Sequence, residues 1–148
     1  AMLERIDYEI ARHARTRRSF AVLVLDLDGF KLLNDRFGHL AGDDLLREVA
    51  GAVQRAIRDQ DTLARMGGDE FCVLAPETSS YGARTLCTRA TDAVSRVAVG
   101  IEALGASAGT ALFPADGRTA AGLLHAADQR LLGAKRRIGG PDRERRAA

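Results

Sequence analysis

Residues Ser19 to Asp26 read SFAVLVLD, an apolar run rich in β-branched residues. Such a run is typical of a strand covered on both faces, so we expect it at the centre of a sheet. It continues into Asp26-Leu27-Asp28, and alternation along a strand would send Asp26 and Asp28 out on the same face. Carboxylates at the mouth of a sheet suit Mg²⁺ bound with phosphates, although carboxylates also simply terminate many strands.

Apolar periodicity on both sides of this strand predicts further helices and strands. Helices are predicted at 2–15, 42–58, 80–97 and 119–138, and strands at 62–65, 71–75 and 105–113. The third of these helices is expected to bury Tyr81 together with Leu86 and Ala90. This order favours an α/β (α+β) sandwich in which helices flank a central, mainly antiparallel sheet.

The composition is that of a soluble globular domain. The chain has 148 residues, 46% hydrophobic and 28% charged, which is enough for one packed core and excludes long disorder. No apolar run reaches the roughly 18 residues of a membrane span, and the sequence does not open with a signal-peptide pattern. We therefore expect a cytoplasmic protein, or a piece of a longer chain, without membrane contact. Cys72 and Cys87 lack disulfide or zinc spacing and are expected to be buried thiols.

The net charge of +2 gives no support for a nucleic acid polymer as partner. The basic excess is concentrated toward the C-terminus, so we separate a tail at 141–148 from a domain at 1–140. RNA binding by this tail is the weakest interpretation, because the aromatic content of 5% provides no base-stacking pattern.

A second acidic cluster, Gly67-Gly68-Asp69-Glu70, lies between two predicted strands. Paired glycines there predict a hairpin turn, and they let a flat ligand approach the backbone. If the hairpin lies beside the central strand, Asp69 would join Asp26 in one oxygen-rich cation site. A turn of this composition also occurs without any function.

Polar residues that suit a nucleotide follow the central strand. Asn34 and Asp43 lie in a predicted glycine-punctuated loop that leads into a helix, and an amide with a carboxylate matches the edge of guanine. Lys31 and Lys135 are the chain's two lysines. Lysine serves as a point-charge contact for phosphate, although both are equally compatible with an ordinary surface position.

Two long motifs carry a resemblance to a known family. They read DLDGFKLLNDRFGHLAGD at 26–43 and RMGGDEF at 65–71. With FPADG at 113–117 and Ala127-Asp128, they resemble the signature of GGDEF domains, the diguanylate cyclases, and the match continues to about Lys135. The resemblance implies a fold like that of nucleotide cyclases and the polymerase palm. It also implies a homodimer that condenses two GTP into cyclic di-GMP and two pyrophosphates.

The resemblance implies roles for individual residues. Mg²⁺ (or Mn²⁺) would be held by Asp26, the Leu27 carbonyl and Asp69, and Asp69 or Glu70 would help remove the proton of the attacking 3′-hydroxyl. The residues that it assigns to binding GTP are Phe30, Lys31, Asn34, Asp43, Gly67, Gly68 and Lys135.

Arg58-Asp59-Gln60-Asp61 has the RxxD pattern at the family's spacing before the hairpin. The resemblance implies an inhibitory site for cyclic di-GMP, in which Arg58 stacks on and hydrogen-bonds to guanine and Asp61 reads its edge. Arg89 matches a second arginine of such a site. Without the family's spacing before the hairpin, residues 58–61 would be interpreted as a solvated loop.

The sequence departs from the family pattern at three places. An N-terminal Asp-x-Leu-Thr-Gly-Leu-x-Asn-Arg segment is not found, and Leu132 stands where a tyrosine is usual. Residues 138–140 read Ile-Gly-Gly instead of Gly-Arg-Asn, which removes a phosphate arginine unless Arg136 or Arg137 replaces it. An alternative therefore stays open, a GGDEF domain that no longer cyclises and acts as a receptor for cyclic di-GMP or GTP. The intact motif at 67–71 favours the cyclase.

Overall fold

The computed structural model of the chain describes residues 1–99 and 102–138. The predicted basic tail, 141–148, lies outside the described residues, as do 139 and 140. The helices are α1 (Met2–Thr16), α2 (Phe30–Phe37), α3 (His39–Ala56), α4 (Ser80–Ser95) and α5 (Ala120–Ile138). The strands are β1 (Phe20–Asp28), β2 (Thr62–Gly67), β3 (Glu70–Ala75), β4 (Ala98–Val99), β5 (Glu102–Ala103) and β6 (Gly105–Phe113).

The main sheet has the order β2-β3-β1-β6, and every neighbouring pair is antiparallel. β1 is central, as SFAVLVLD predicts, with Asp26 opposite Glu70 of β3 on one side and opposite Ser107 of β6 on the other. β4 and β5 pair antiparallel in a separate two-stranded sheet.

Alternate side chains of β1 build two cores, one on each face of the sheet. The face that carries Leu23 and Leu25 packs against α3 and α4. The face that carries Val22 and Val24 packs against α1 and α5. This arrangement confirms the predicted α+β sandwich, and burial on both faces is the reason that the β1 sequence is apolar without alternation.

The segment after β1 differs from the sequence prediction. A loop is predicted there, but the structure has α2, and α3 begins at His39 rather than at residue 42. Gly29 and Gly38, with φ of 74° and 89°, flank α2 and set it apart from β1 and α3. Its apolar residues Phe30, Leu33 and Phe37 have helical spacing, but they span two turns and none is fully buried, so the helix signal in the sequence is weak.

The prediction that Tyr81 faces inward is wrong, since the residue is 74% exposed. α4 buries Ala83, Leu86 and Ala90. Tyr81 precedes Leu86 by five positions, which at 3.6 residues per turn places its side chain about 140° away around the helix. The ring therefore lies off the buried stripe.

Both cysteines are free thiols, Cys72 buried and Cys87 half-buried, so the prediction of burial holds fully only for Cys72. Burial raises the pKa of the Cys72 thiol to about 12. Over the described ranges, the structure contains no helix with the length and apolar character needed to cross a membrane.

Candidate active site

Charged side chains from three parts of the chain converge at the end of β1. Asp26 lies two residues before the end of that strand, Asp69 and Glu70 come from the β2–β3 hairpin, and Lys135 comes from the last turn of α5. The Leu27 N–H donates to the Asp69 carbonyl oxygen across 3.4 Å. Lys135 Nζ donates to Asp26 Oδ2 at 2.5 Å, although 109 residues separate the two in the chain. The fold thus brings the two acidic motifs side by side.

Burial and mutual repulsion raise the pKa of two of these carboxyls. For Asp69 the main cause is burial, followed by the neighbouring Asp26, with which a protonated Asp69 can share a hydrogen bond; Lys135 acts in the opposite direction. For Glu70 the main cause is again burial, followed by the charges of Asp128, Asp26 and Asp69. A place where carboxylates repel one another in this way favours a bound cation.

One oxygen of this cluster lacks a partner inside the protein. Among the fully buried side-chain nitrogen and oxygen atoms of the described residues, Asp26 Oδ1 alone has no hydrogen bond. An unsatisfied buried acceptor is costly, and a metal ion would satisfy it. Carboxylate oxygens of Asp26 and Asp69 and the Leu27 carbonyl are the hard ligands that Mg²⁺ prefers, so the residues fit this ion.

The protein supplies only part of a coordination shell. The described portion of the chain contains no group of three or more His, Cys, Asp or Glu side chains arranged to hold a metal. Mg²⁺ commonly binds through one or two carboxylates and takes its other ligands from phosphate and water. The site is therefore suited to a metal that arrives with a polyphosphate.

Two neighbouring carboxylates have roles that the strand-end motif alone does not reveal. Asp28 accepts a hydrogen bond from Ser107 Oγ at 2.9 Å, so it joins β1 to β6. Asp128, which the sequence analysis did not assign to the site, acts on Glu70 by its charge and lies on α5 two turns before Lys135. Its position in the family-like Ala127-Asp128 pair is the signal that could have identified it.

The predicted guanine-reading residues lie where α2 meets α3. Phe30 and Asn34 are one turn apart on α2. A Cβ added to Gly42 of α3 would lie 2.2 Å from Asn34 Oδ1 and 3.3 Å from Phe30 Cζ, so the missing side chain of this glycine is what permits the close approach. Asn34 Nδ2 lies 2.9 Å from His39 Nδ1. Asp43, which follows Gly42, is exposed on the adjacent helix.

The hairpin tip is open to solvent. Gly67 and Gly68 have φ of 150° and 51°, and a Cβ built on either would meet no atom within 4 Å. Backbone conformation, not crowding, therefore requires glycine here. Arg65 Nε braces the turn by donating to the Gly68 carbonyl oxygen at 2.9 Å. Lys31, in the first turn of α2, is also exposed.

A separate pocket of about 330 Å³ lies at the opposite end of the hairpin, and Arg58, Asp61 and Arg89 are among its lining residues. The Arg58 guanidinium is held by the protein. Its Nη2 donates to Asp61 Oδ1 at 2.9 Å and to the Pro76 carbonyl and Thr78 Oγ1, both at 2.8 Å. Its Nε donates to the same carboxylate at 3.2 Å.

These contacts determine which atoms of Arg58 and Asp61 remain available to a ligand. The Asp61 side chain is 2% exposed and is engaged by Arg58, so in this arrangement Asp61 positions the arginine. Contact between Asp61 and a guanine edge stays a prediction. Nη1 of Arg58 has no acceptor within the described part of the chain, and the side chain is 40% exposed. The atom and the face of the guanidinium are therefore available in the pocket.

The two arginines considered as replacements for the missing phosphate arginine, Arg136 and Arg137, are exposed residues that follow Lys135 on α5. Leu132, in the place of the family's usual tyrosine, is also exposed. Phosphate contact by either arginine stays a prediction.

Known proteins resemble the chain along most of its length. A family model described as diguanylate cyclase, GGDEF domain, matches residues 1–140. The bifunctional diguanylate cyclase/cyclic di-GMP phosphodiesterase MucR of Pseudomonas aeruginosa is 41% identical over 135 residues, which cover 89% of this chain and 20% of MucR. The chain thus spans about a fifth of the length of that relative.

Solved structures share the fold. The GGDEF domain of TpbB from Pseudomonas aeruginosa matches with a TM-score of 0.85 at 35% identity, over 92% of this chain and 82% of that one. The GGDEF domain of DgcB from Caulobacter crescentus, solved in complex with c-di-GMP, matches with a TM-score of 0.80 at 28% identity, over 93% of this chain and 82% of that one. These matches and the family model confirm the resemblance noted in the motifs, and the chain belongs to the GGDEF-domain family of diguanylate cyclases.

Proposed function

We propose that residues 1–140 form the catalytic domain of a diguanylate cyclase, which condenses two GTP into cyclic di-GMP and two pyrophosphates as a homodimer. The observation that carries the proposal is the convergence of Asp26, Asp69, Glu70 and Lys135 beside an exposed glycine turn. Membership of the GGDEF family and relatives named as diguanylate cyclases support it.

The proposed substrate contacts fall into two groups, those to guanine and those to the phosphates. Asn34 and Asp43 would hydrogen-bond to guanine, with Phe30 packed beside them. Lys31 and Lys135 would contact the phosphates as point charges, and Gly67 and Gly68 would let the nucleotide approach the hairpin backbone. Mg²⁺ held by Asp26, Asp69 and the Leu27 carbonyl would offset the triphosphate charge and polarise the α-phosphate.

The proposed reaction is an in-line displacement that occurs twice. The 3′-hydroxyl oxygen of one GTP bonds to the α-phosphorus of the other, the bond from that phosphorus to the bridging oxygen breaks, and pyrophosphate leaves. Glu70 is the proposed acceptor of the hydroxyl proton, with Asp69 as its neighbour. Burial and adjacent carboxylates raise the pKa of Glu70, which improves a carboxylate as a general base.

The proposed reaction requires two copies of the domain. Each domain would hold one GTP, so two domains must face each other with their hairpin tips at a shared site. The solvent exposure of the Gly67–Gly68 turn supports this arrangement, because the tip is accessible to a second copy. A single domain would bind GTP without turning it over.

The test is chromatographic detection of cyclic di-GMP after incubation with GTP and Mg²⁺, over a series of protein concentrations and after bound nucleotide has been stripped. We expect product that rises more than linearly with protein concentration. Asp69→Asn should reduce turnover by at least about 100-fold, since it removes a carboxylate from the charge-stabilising centre. The matched control is Asp7→Asn, which neutralises an exposed carboxylate on α1.

Three other outcomes would contradict parts of this proposal. Absence of product at every concentration, with GTP still bound, would contradict cyclisation by this domain. Tight binding of cyclic di-GMP without binding of GTP would favour the alternative of a receptor. A rate strictly proportional to protein, even at the lowest concentrations, would contradict the requirement for association.

The proposal includes product inhibition through the Arg58 pocket. A cyclic dinucleotide carries two phosphates and two guanines, and an arginine can both stack on a base and donate to its edge or to phosphate. The anchored guanidinium, with Nη1 free and Arg89 in the same pocket, supports this assignment. The c-di-GMP complex of the DgcB GGDEF domain supports binding of this ligand within the family.

Inhibition is tested by titration calorimetry with cyclic di-GMP and by its effect on turnover. Arg58→Ala would weaken binding, but it also removes the guanidinium donors of the buried Asp61 and leaves it the Arg58 backbone N–H at 2.9 Å, at a cost of roughly 1–3 kcal/mol of stability. Arg89→Ala is the cleaner variant, because Arg89 is exposed and makes no hydrogen bond within the described residues. We expect affinity to fall about 10-fold or more and inhibition to be relieved in step. Arg55→Ala, at the end of α3, is the control, and unchanged affinity in both test variants would contradict the site.

A further inference from the structure

The outer face of α4 contributes a row of side chains to the Arg58 pocket. Tyr81, Thr85 and Arg89 are spaced by four residues, so they follow one another along one side of the helix, and all three line the pocket. Tyr81 begins the row, next to the N-cap Ser79, and Arg89 ends it. The Tyr81 ring therefore lines the same pocket as the Arg58 guanidinium.

The exposure of Tyr81 has no structural explanation within the described residues. The ring is 74% exposed, and its hydroxyl makes no hydrogen bond to the described part of the chain. Its described ring contact is with the Arg84 guanidinium carbon, 6.0 Å from the ring centroid, on the solvent side of the same helix. An aromatic ring that stabilises no core is free to contact a ligand.

The charges around the pocket favour an anion with flat apolar parts. Asp61 is neutralised by Arg58, and Glu77 Oε1 lies 3.1 Å from Arg12 Nη2 and 3.6 Å from Arg18 Nη1. Arg89 has no carboxylate partner among the residues that the structure describes, so its guanidinium charge is available to a bound anion. A pocket lined by one aromatic ring and two arginines suits a molecule that presents both phosphates and bases.

We propose that Tyr81 is a base-stacking residue of the Arg58 pocket, where its ring packs on one guanine of cyclic di-GMP bound between Arg58 and Arg89. This inference rests on the proposed inhibitory function of the pocket. It adds a contact that the RxxD pattern does not contain. Tyrosine suits this role because its ring is rigid and loses little side-chain freedom when a base covers it.

Calorimetry with cyclic di-GMP on the wild type and on Tyr81→Ala and Tyr81→Phe tests the contact. Loss of a base-stacking aromatic typically weakens binding by about 10-fold or more, so we expect that change for Tyr81→Ala and near wild-type affinity for Tyr81→Phe. Because Tyr81 is exposed, neither variant should alter the thermal unfolding midpoint. Tyr8→Ala removes a similarly exposed tyrosine of α1 and is the control.

Tyrosine fluorescence provides a direct readout of stacking. The chain has two tyrosines and no tryptophan, so in Tyr8→Phe the emission comes from Tyr81 alone. We expect cyclic di-GMP to quench this emission along the calorimetric binding curve, after correction for nucleotide absorbance. Saturable binding with unchanged emission, or an unchanged Kd in Tyr81→Ala, would overturn the stacking role and leave the pocket assignment standing. Absence of binding to the wild type would instead overturn the proposed inhibitory site.

Discussion

Asp116, in the turn after β6, joins three parts of the chain through its carboxylate. Oδ2 accepts from the Leu112 N–H and from Arg130 Nη1, both at 2.8 Å, and Oδ1 accepts from Arg130 Nη2 at 2.9 Å. The hydrogen bonds from Arg130 are the main reason that the pKa of Asp116 is lowered, and burial opposes them. One side chain therefore holds the turn and fixes α5 to the end of β6.

The lowered pKa of Asp116 predicts a pH-dependent loss of stability. A carboxyl whose folded-state pKa is depressed stabilises the fold above its unfolded pKa, and that contribution is lost as pH falls through the folded pKa. Asp116→Asn should therefore lower the free energy of unfolding by about 1 kcal/mol at pH 7. The difference from the wild type should shrink as the pH is lowered below about 4.

Urea unfolding between pH 2 and 7 measures this difference. Asp44→Asn is the matched control, because Asp44 forms a highly exposed ion pair with Arg47 at 3.2 Å, and such pairs contribute little. A pH-independent deficit in Asp116→Asn would mean that packing, not charge, explains its effect.

Local sequence patterns predict some of the site residues but not others. The end of a buried strand and a turn with paired glycines are sufficient to predict Asp26 and Asp69 as candidate site residues. Asp128 could not be nominated in this way, because its effect on Glu70 acts between α5 and β3, which are distant in sequence. The inward position predicted for Tyr81 is wrong because the angle of this residue around α4 places its ring off the buried stripe.

At the scale of elements, α5 lies directly on β6 because Gly109 has no side chain. A Cβ at Gly109 would lie 2.1 Å from the Ala127 carbonyl oxygen and 2.4 Å from the Leu131 nitrogen, and both are backbone atoms of α5 that cannot rotate away. Lys135 follows Leu131 by one turn. The close contact therefore also sets where this lysine meets Asp26.

Gly109→Ala should force α5 away from the sheet. We expect a loss of about 1–3 kcal/mol in the free energy of unfolding, as for other overpacked sites, and reduced turnover because Lys135 moves with the helix. Gly133→Ala is the matched control on α5, where an added Cβ meets nothing within 4 Å. It should stabilise by about 0.5–1 kcal/mol, since alanine favours a helix interior. Urea unfolding distinguishes the two, and equal effects would contradict the assigned role of Gly109.

The helices and the central strand that the sequence predicted carry a long apolar pattern, whereas the two hairpin strands are predicted with the help of the glycine turn between them. SFAVLVLD predicts β1 because six consecutive apolar residues, Phe20 to Leu25, carry the signal. α2 has eight residues, none of them fully buried, and β4 and β5 contain two residues each, so all three are too short to carry a long apolar pattern. Such segments are determined by flanking glycines and by tertiary contacts.

At the scale of the whole molecule, the two candidate sites lie at opposite ends of the β2–β3 hairpin. Glu70 begins β3 beside the acidic cluster, and Ala75 ends it as a lining residue of the Arg58 pocket. Six residues of antiparallel strand put these ends about 17 Å apart. We therefore expect Asp69→Asn to retain the wild-type Kd for cyclic di-GMP in calorimetry. Loss of product affinity in this variant would mean that the two sites are wrongly separated.

Apolar periodicity does not predict the strand order β2-β3-β1-β6, because pairing between segments that are distant in sequence produces no local sequence pattern. Only the family resemblance implied how the strands assemble, through the palm-like fold. The proposed second copy also leaves no local sequence pattern, since the hairpin tip that would meet it is composed of glycine and carboxylate, as ordinary turns are.

The position of β3 between the two sites also limits how this hairpin can change in evolution. Inserting or deleting one residue within 70–75 would turn the following side chains to the opposite face of the sheet, and the register with β1 would be lost. Substitutions are tolerated by such a strand far more readily than changes of length. Chains that keep both sites should therefore show a constant number of residues between Asp61 and Pro76, with insertions and deletions confined to the connections outside them.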